Sequence, residues 1–350
     1  MTEKAYRFGG WTRRCVALAA VATLMTAVWA RPAAAEDDVK ISAFQGSFVA
    51  LPLYIADDLH LFEKHGVHAE LVYGTGIQVT NILISGAAQF GAFAVEHGLL
   101  VRSKGQDVKL LVVAQAAAPF DILVRNDVPT PNAGKPYPAP LKDLKGLRIG
   151  ISSPGASTDE AIKYLLREAG LDPATDVRLV PVGGPNTQVA GLKNGLIDAD
   201  MAFDPVQMVA LHELKIARSI MDIEGGQGPA LFQPYVYNGL WARDAYIKAH
   251  PAVVKAVVAA IVEAEQMIND PKQLDQVVKL AADNMRGISP ALIHDYLEHY
   301  HAIFQPVASQ RALANVNAFM VAAKKIPAPL AYDDVVATQF MPTGFTVASH

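Results

Sequence analysis

The groups in this sequence best placed to hold a ligand lie in the stretch 147–171. Leu147, Ile149 and Ile151 alternate as a short buried strand, and Ser152-Ser153-Pro154-Gly155 breaks it. From Thr158 the apolar period turns helical, through Ala161, Ile162, Leu165, Leu166 and Ala169. Ser157 and Glu160 have capping-box spacing, and Gly170 stands where a helix ends on a left-handed glycine. A strand–turn–helix of this kind aims unpaired N–H groups and the positive end of the helix dipole beyond the strand's carboxyl edge. The chemistry expected there is hydrogen bonding to a polar or anionic end of a small molecule by Ser157, Thr158 and the amides of Gly155 and Ala156. Asp159 and Glu160 in the same turn offset the dipole and weaken the case for a strong anion site.

Other spacings suggest chemistry that their neighbours do not complete. Gly74-Thr75-Gly76 follows a strand, precedes a helix and has Glu96 about 20 residues on, as in a dinucleotide fingerprint. The third glycine position is Val79, however, which would hold the helix off the sheet, so a tight turn is expected and no cofactor. His60, His65 and His68 straddle a helix end and the next strand, so their rings diverge. His294, Glu298 and His301 share one helical face, which reads as solvated, and no metal site is expected. The sequence contains no Gly-x-Ser-x-Gly elbow or Walker loop, and no residue is assigned a catalytic role.

An alternation of strands and helices must position these groups. Strands at 39–43, 67–73, 90–93 and 108–114 alternate with helices at 51–64, 77–85 and 96–103, a β-α-β-α-β-α-β order that reads as a doubly wound sheet. A new strand begins at Asp121–Arg125, and residues 127–140 hold five prolines without periodicity, a surface loop or an insertion beside a lobe boundary. The pattern then starts again, with strands at 147–151, 177–182, 199–203 and 216–221 and a helix at 204–213. Leu83-Ile84-Ser85-Gly86 before one strand resembles Leu192-Lys193-Asn194-Gly195 before another, a weak internal echo. Residues 235–241 are strand-like, and helices are expected at 251–269, 273–285, 289–304 and 311–325.

The expected architecture is α/β, two doubly wound lobes joined by a two-strand hinge and followed by C-terminal helices. Lobe one takes 36–121 and 235–350, and lobe two takes 122–234. The strand-end loops facing the cleft supply the candidate ligand-binding residues: Gln45, Ser47, Phe48, Thr75, Gln78, Phe93, Gln115, Phe120, Ser153, Gly155, Ser157, Thr158, Gly184, Asn186, Asp204 and Tyr237. These loops carry no lysine or arginine, while Glu96, Asp121 and Asp204 lie in or beside them. Phe48, Phe93, Phe120, Phe203 and Tyr237 offer stacking, although about half of such aromatics belong in lobe cores. The set suits a small, largely planar organic ligand better than a bare inorganic anion, which needs a cation or a full set of donors.

The first 35 residues read as an address. Arg7, Arg13 and Arg14 precede an apolar run at 15–30, and Ala33-Ala34-Ala35 is a cleavage signal before Glu36. Export to the periplasm with cleavage near Ala35 is expected; Thr12-Arg13-Arg14 hints at the twin-arginine route, and the Sec route stays open. The single cysteine, Cys15, falls inside this leader, so the mature chain would have no thiol or disulfide. What remains has 25 Lys+Arg against 33 Asp+Glu, a net charge of about −8, which argues against nucleic acid as a partner.

The order and spacing of several segments resemble a known family. Leu61-Phe62-Glu63-Lys64-His65-Gly66-Val67, Leu83-Ile84-Ser85-Gly86, Leu141-Lys142-Asp143-Leu144-Lys145-Gly146, Ala202-Phe203-Asp204-Pro205 and Trp241-Ala242-Arg243 carry the likeness, which spans residues 39–271. The chain is similar to the substrate-binding proteins of ABC importers that include the sulfonate, taurine, nitrate and thiamine-pyrimidine binders. The resemblance implies a type II periplasmic binding fold, a ligand held between lobes, and delivery by a monomer to a membrane permease and its ATPase. An enzymatic branch of the family depends on a cysteine-rich motif, which the mature chain lacks. A secreted enzyme on the same fold, or a ligand sensor for a membrane receptor, remain the alternative readings.

Overall fold

Apolar runs from the first part of the chain pair into one sheet, and those from Phe120 onward begin a second. The computed structural model describes residues 1–2, 37–285 and 287–342. The expected leader's charged and apolar parts and its cleavage site lie outside them. In chain order the first part forms β1 (Asp37–Phe44), α1 (Leu51–Asp58), β2 (Val67–Gly74), α2 (Gln78–Ser85), β3 (Phe90–Ala94), α3 (Val95–Ser103) and β4 (Val108–Gln115). The middle forms β5 (Phe120–Arg125), β6 (Arg148–Ile151), α4 (Ser157–Glu168), β7 (Arg178–Pro181), α5 (Pro185–Lys193), β8 (Ala199–Phe203) and β9 (Ala217–Asp222). The rest forms β10 (Asn238–Arg243), α6 (Asp244–Ala249), α7 (Pro251–Ile268), α8 (Leu274–Asn284), α9 (Pro290–Tyr300) and α10 (Gln310–Ala322).

The first sheet has the order β2-β1-β3-β10-β4 and the second β7-β6-β8-β5-β9. β10 runs antiparallel to β3 and β4, and β5 antiparallel to β8 and β9, so both sheets are mixed. The two orders match position by position, with β10 and β5 as equivalents. Each equivalent strand ends in an arginine, and each arginine packs on a glycine of the echoed segments. A Cβ on Gly86 would lie 2.7 Å from the Arg243 guanidinium, and one on Gly195 would lie 2.4 Å from that of Arg125. The echo in the sequence thus marks one device used in both sheets. β4, at the border of the first sheet, is covered by later chain, since Val113 N donates to Pro306 O and Ala337 N to Leu110 O.

Two expected helices differ. That at 51–64 breaks at His60, whose φ of 53° is left-handed, leaving α1 and a short turn Leu61–Lys64. That at 204–213 is a short turn, Val206–Met208, followed by a wide π turn, Val209–Glu213. α10 packs against α3 beside the first sheet and against α4 beside the second, where Phe319 meets Tyr164 edge-on at 5.5 Å and, just beyond α10, the Lys325 ammonium pairs with Glu160 at 2.7 Å. Among the described residues no helix is long and apolar enough to cross a membrane.

Candidate functional site

The loop at the end of β6 is held by its own helix. Thr158 Oγ1 accepts the Ser152 amide at 3.0 Å and lies 2.9 Å from Ser152 Oγ. Asp159 Oδ2 accepts the Gly155 amide at 2.8 Å and the Lys163 ammonium at 2.6 Å. These bonds correct two expectations. Gly155 N–H already has a partner and is not a free ligand donor, whereas Thr158, which accepts a backbone N–H, keeps its own O–H for Ser152 Oγ or the cavity. There is also no capping box: Ala156 is the N-cap of α4, its side chain makes no cap, and Glu160 turns to Lys325. Ser157 is thereby freed. It sits in the first turn beside the Tyr237 hydroxyl, and its buried Oγ has no hydrogen-bond partner.

Ser157 faces a narrow cavity of about 40 Å³ between the two sheets. Phe44, Val49, Gly76, Val79, Phe93 and His97 line it from the first sheet's side, and Ser152, Ala156, Ser157, Thr158 and Phe203 from the second's. Tyr237 and Asn238 close it where the chain returns to β10. Tyr237 is set by its backbone, which accepts from Val95 N at 2.7 Å and donates to Gln115 O at 2.9 Å. Phe93 is stacked on Trp241 at 5.5 Å, and Trp241 Nε1 donates to Phe93 O at 3.2 Å. Phe44 and Phe203 meet edge-to-face at 5.5 Å from opposite sides.

The polar groups of this cavity are neutral or unpartnered. His97 Nδ1 lies 3.4 Å from Thr80 Oγ1, and its buried Nε2 has no partner. Burial pushes its pKa down to about 4, so the ring is uncharged at neutral pH. Asn238 Oδ1 is likewise buried and unpartnered. Behind the wall, Glu96 Oε1 accepts from the Tyr235 hydroxyl at 2.8 Å, while burial lifts its pKa to about 7. No lysine or arginine is among the lining residues.

Of the candidates read from sequence, Phe93, Ser157, Thr158 and Tyr237 come together here. Gln45, Thr75, Gly184 and Asn186 line a separate outer groove, and Thr75 and Gln78 bind each other, with Thr75 N and Oγ1 each 3.2 Å from Gln78 Oε1. Phe48 and Phe120 are corrections: both are 0% exposed and fill cores, Phe48 against Tyr296 at 4.3 Å and Phe120 against Tyr237 and Phe232. Ser47, Gln115 and Asp204 meet one another instead of the cavity: Ser47 Oγ donates to Asp204 O at 2.6 Å, and Gln115 Nε2 to Asp204 Oδ2 at 3.3 Å. Ser153 explains the Gly-Thr-Gly turn, because a Cβ on Gly76 would come within 2.5 Å of Ser153 Oγ. That glycine permits close approach of the two sides; it needs no nucleotide. His97, Asn238 and Phe44 were not among the candidates: His97 and Asn238 sit inside regular elements, and Phe44, expected in the loop after the first strand, ends β1.

Two sheets of matching strand order with a lined cavity between them define the fold of the periplasmic binding proteins. It is shared with the periplasmic nitrate-binding protein NrtA from Synechocystis PCC 6803 (14% identity, 87% of each chain, TM-score 0.67). The periplasmic aliphatic sulphonate binding protein SsuA from Escherichia coli also shares it (20% identity, 87% of this chain and 98% of that one, TM-score 0.64). The chain belongs to the NMT1/THI5-like family, whose model matches residues 47–274. Among curated relatives, the bicarbonate-binding protein CmpA of Synechococcus sp. (strain ATCC 27144 / PCC 6301 / SAUG 1402/1) is 23% identical over 274 residues, 72% of this chain and 58% of that protein. The chain therefore spans under two thirds of that relative's length.

Proposed function

We propose that this protein is an exported solute-binding component of an ABC importer, which captures a small, largely planar organic molecule between two lobes and passes it to a permease and its ATPase. The observation that carries the ligand class is the lining of the cavity. Phe44, Phe93, Phe203 and Tyr237 supply aromatic surface, Ser157, His97 and Asn238 supply neutral hydrogen-bonding groups, and no cation faces inward. Relatives are named for nitrate, bicarbonate and sulphonate. A bare inorganic anion buried here would lose hydration without a countercharge, at a cost of several kcal/mol. A ring compound with one polar end matches the aromatic walls and the Ser157 hydroxyl in chemistry, and an opened cleft would admit it. The lobes hinge at the crossings near Asp121 and Tyr235.

The cavity also speaks against an enzyme. Ser157 and His97 both line it, but no hydrogen bond joins them, and an imidazole pushed down to about 4 is a poor base at neutral pH.

A thermal-shift panel tests the reading, with nitrate, bicarbonate, taurine, alkanesulfonates, aromatic carboxylates and sulfonates, pyrimidines and flavins. A micromolar ligand at millimolar concentration adds about 4 kcal/mol and a clear rise in Tm. The expected result is such a rise with a ring compound. A large shift with nitrate or bicarbonate and none with any ring compound would overturn the ligand class.

A further inference from the structure

Asp204 follows β8 of the second sheet, yet much of what binds it comes from elements packed on the first. Its Oδ2 accepts from the Tyr296 hydroxyl of α9 at 2.6 Å and from Gln115, at the end of β4, at 3.3 Å. Glu224, just past β9, reaches the same Tyr296 hydroxyl at 3.0 Å through Oε1. Gln207 Nε2 donates to Asp204 Oδ1 and lies 3.4 Å from Glu224 Oε2. A tyrosine hydroxyl carries one proton, so it can donate to only one of the two carboxyls. The other carboxyl completes the arrangement by carrying a proton of its own and donating it to the phenol oxygen.

The surroundings offer no permanent countercharge among the described lining residues. The space beside the cluster is lined by Asp121 from β5, Asp222 from β9, His212 from the turn after β8, and Asp295, His299 and Tyr300 from α9. No lysine or arginine is among its described lining residues. Burial pushes Asp204 up, and burial with the neighbouring acid pushes Glu224 well up. Burial also raises Asp121.

We propose that Asp204, Glu224 and Tyr296 form a proton-operated clasp between the lobes, shut when the carboxyl pair holds one proton and loosened when that proton leaves. In an opened cleft both carboxyls meet water and ionise at ordinary acidity, so closing takes up a proton. The closed-to-open ratio then rises at most about tenfold per pH unit of acidification across the range where that proton binds. A binding protein built this way holds its solute more firmly in an acidic surrounding and releases it as the pH rises. The clasp rests on the two-lobe hinge of the proposed function, though not on the identity of the solute.

The test uses nitroxide labels on the exposed positions of Lys193→Cys and Lys279→Cys, with Cys15, the sequence's only cysteine, changed to Ser. Distances are measured by electron–electron resonance without ligand at about pH 5.5 and 8.5, a span of about three units that brackets the proton. The otherwise unchanged chain should pass from one short distance to a mixture with a longer one, its closed-to-open ratio falling at least tenfold. Asp204→Asn with Glu224→Gln, which keeps the shape without the charge, should stay short at both pH values, and Tyr296→Phe should populate the longer distance at both. Two distances whose ratio ignores pH would overturn the clasp alone, and a single distance in every variant would overturn the hinge as well. Closure at the higher pH on adding millimolar calcium chloride, lost in the double variant, would replace the proton by a metal ion and also overturn the proposal.

Discussion

Ser157 and Thr158 are neighbours in one helical turn with different duties. Thr158 Oγ1 takes the buried Ser152 amide, whereas Ser157 Oγ is buried without a partner in the cavity wall. Thr158→Ala should therefore act on the fold, leaving the Ser152 N–H unmet at a cost of about 1–3 kcal/mol, seen as a lower denaturation midpoint without ligand. Ser157→Ala should leave that midpoint in place and weaken, about tenfold, the binding of whichever panel compound stabilises the parent, as the loss of one hydrogen bond requires. Calorimetry and urea denaturation on both variants separate the two roles. If Ser157→Ala binds as tightly as the parent, the hydroxyl is no ligand contact. Sequence spacing placed both residues at the site because a strand–turn–helix can be read from its change of period. It did not assign the roles, which depend on which N–H each oxygen meets in the folded loop.

The elements around the cavity were legible wherever their periodicity was strong, and the two sheets follow the expected alternation closely. What the candidate residues did not include lies in contacts between elements. His97 reaches the cavity from the first turns of α3, a helix read only as a connector, and Asn238 from the first residue of β10. Phe48 and Phe120 look like loop aromatics in sequence, yet they are 0% exposed because α9 and the Tyr235–Tyr237 segment cover them. Gly98 is another such contact. A Cβ there would lie 2.3 Å from the Trp241 ring, the same ring on which the cavity residue Phe93 is stacked. An alanine in place of a mid-helix glycine ordinarily stabilises by about 1 kcal/mol. Here Gly98→Ala must push a fully buried indole, and overpacking of this kind costs about 1–3 kcal/mol. The expected outcome is a net lower urea midpoint together with a change in tryptophan fluorescence. A midpoint at or above the parent's would mean that α3 does not press on Trp241 as described.

At the scale of the whole molecule, the interior holds more carboxyls than it holds partners for them. Asp200 in β8 and Glu265 in α7 are buried with no hydrogen bond to either carboxyl oxygen, and burial raises both well above the usual range. Burial also raises Glu96, Asp121, Asp204 and Glu224. A carboxyl whose folded pKa exceeds its unfolded one contributes stability that is fully present below the unfolded value and is lost as pH climbs through the folded value. For Glu96, raised from 4.5 to about 7, the loss across that interval is roughly 3 kcal/mol. His97 works the other way: its folded pKa lies near 4 against 6.5, so it adds a similar amount of stability as pH rises between those values. One imidazole opposes six carboxyls, and above about 6.5 its contribution is complete while theirs is still being lost. The half-buried ion pair of Arg148 with Asp198 lowers a carboxyl that ionises below this range, so it contributes nothing to the slope. The urea midpoint should therefore decline from about pH 5 to pH 8. Glu96→Gln, which keeps the Tyr235 contact without an ionisable group, should flatten part of the decline. A midpoint that holds level or rises over this range would mean that these carboxyls ionise at ordinary pH inside the fold, in contact with water.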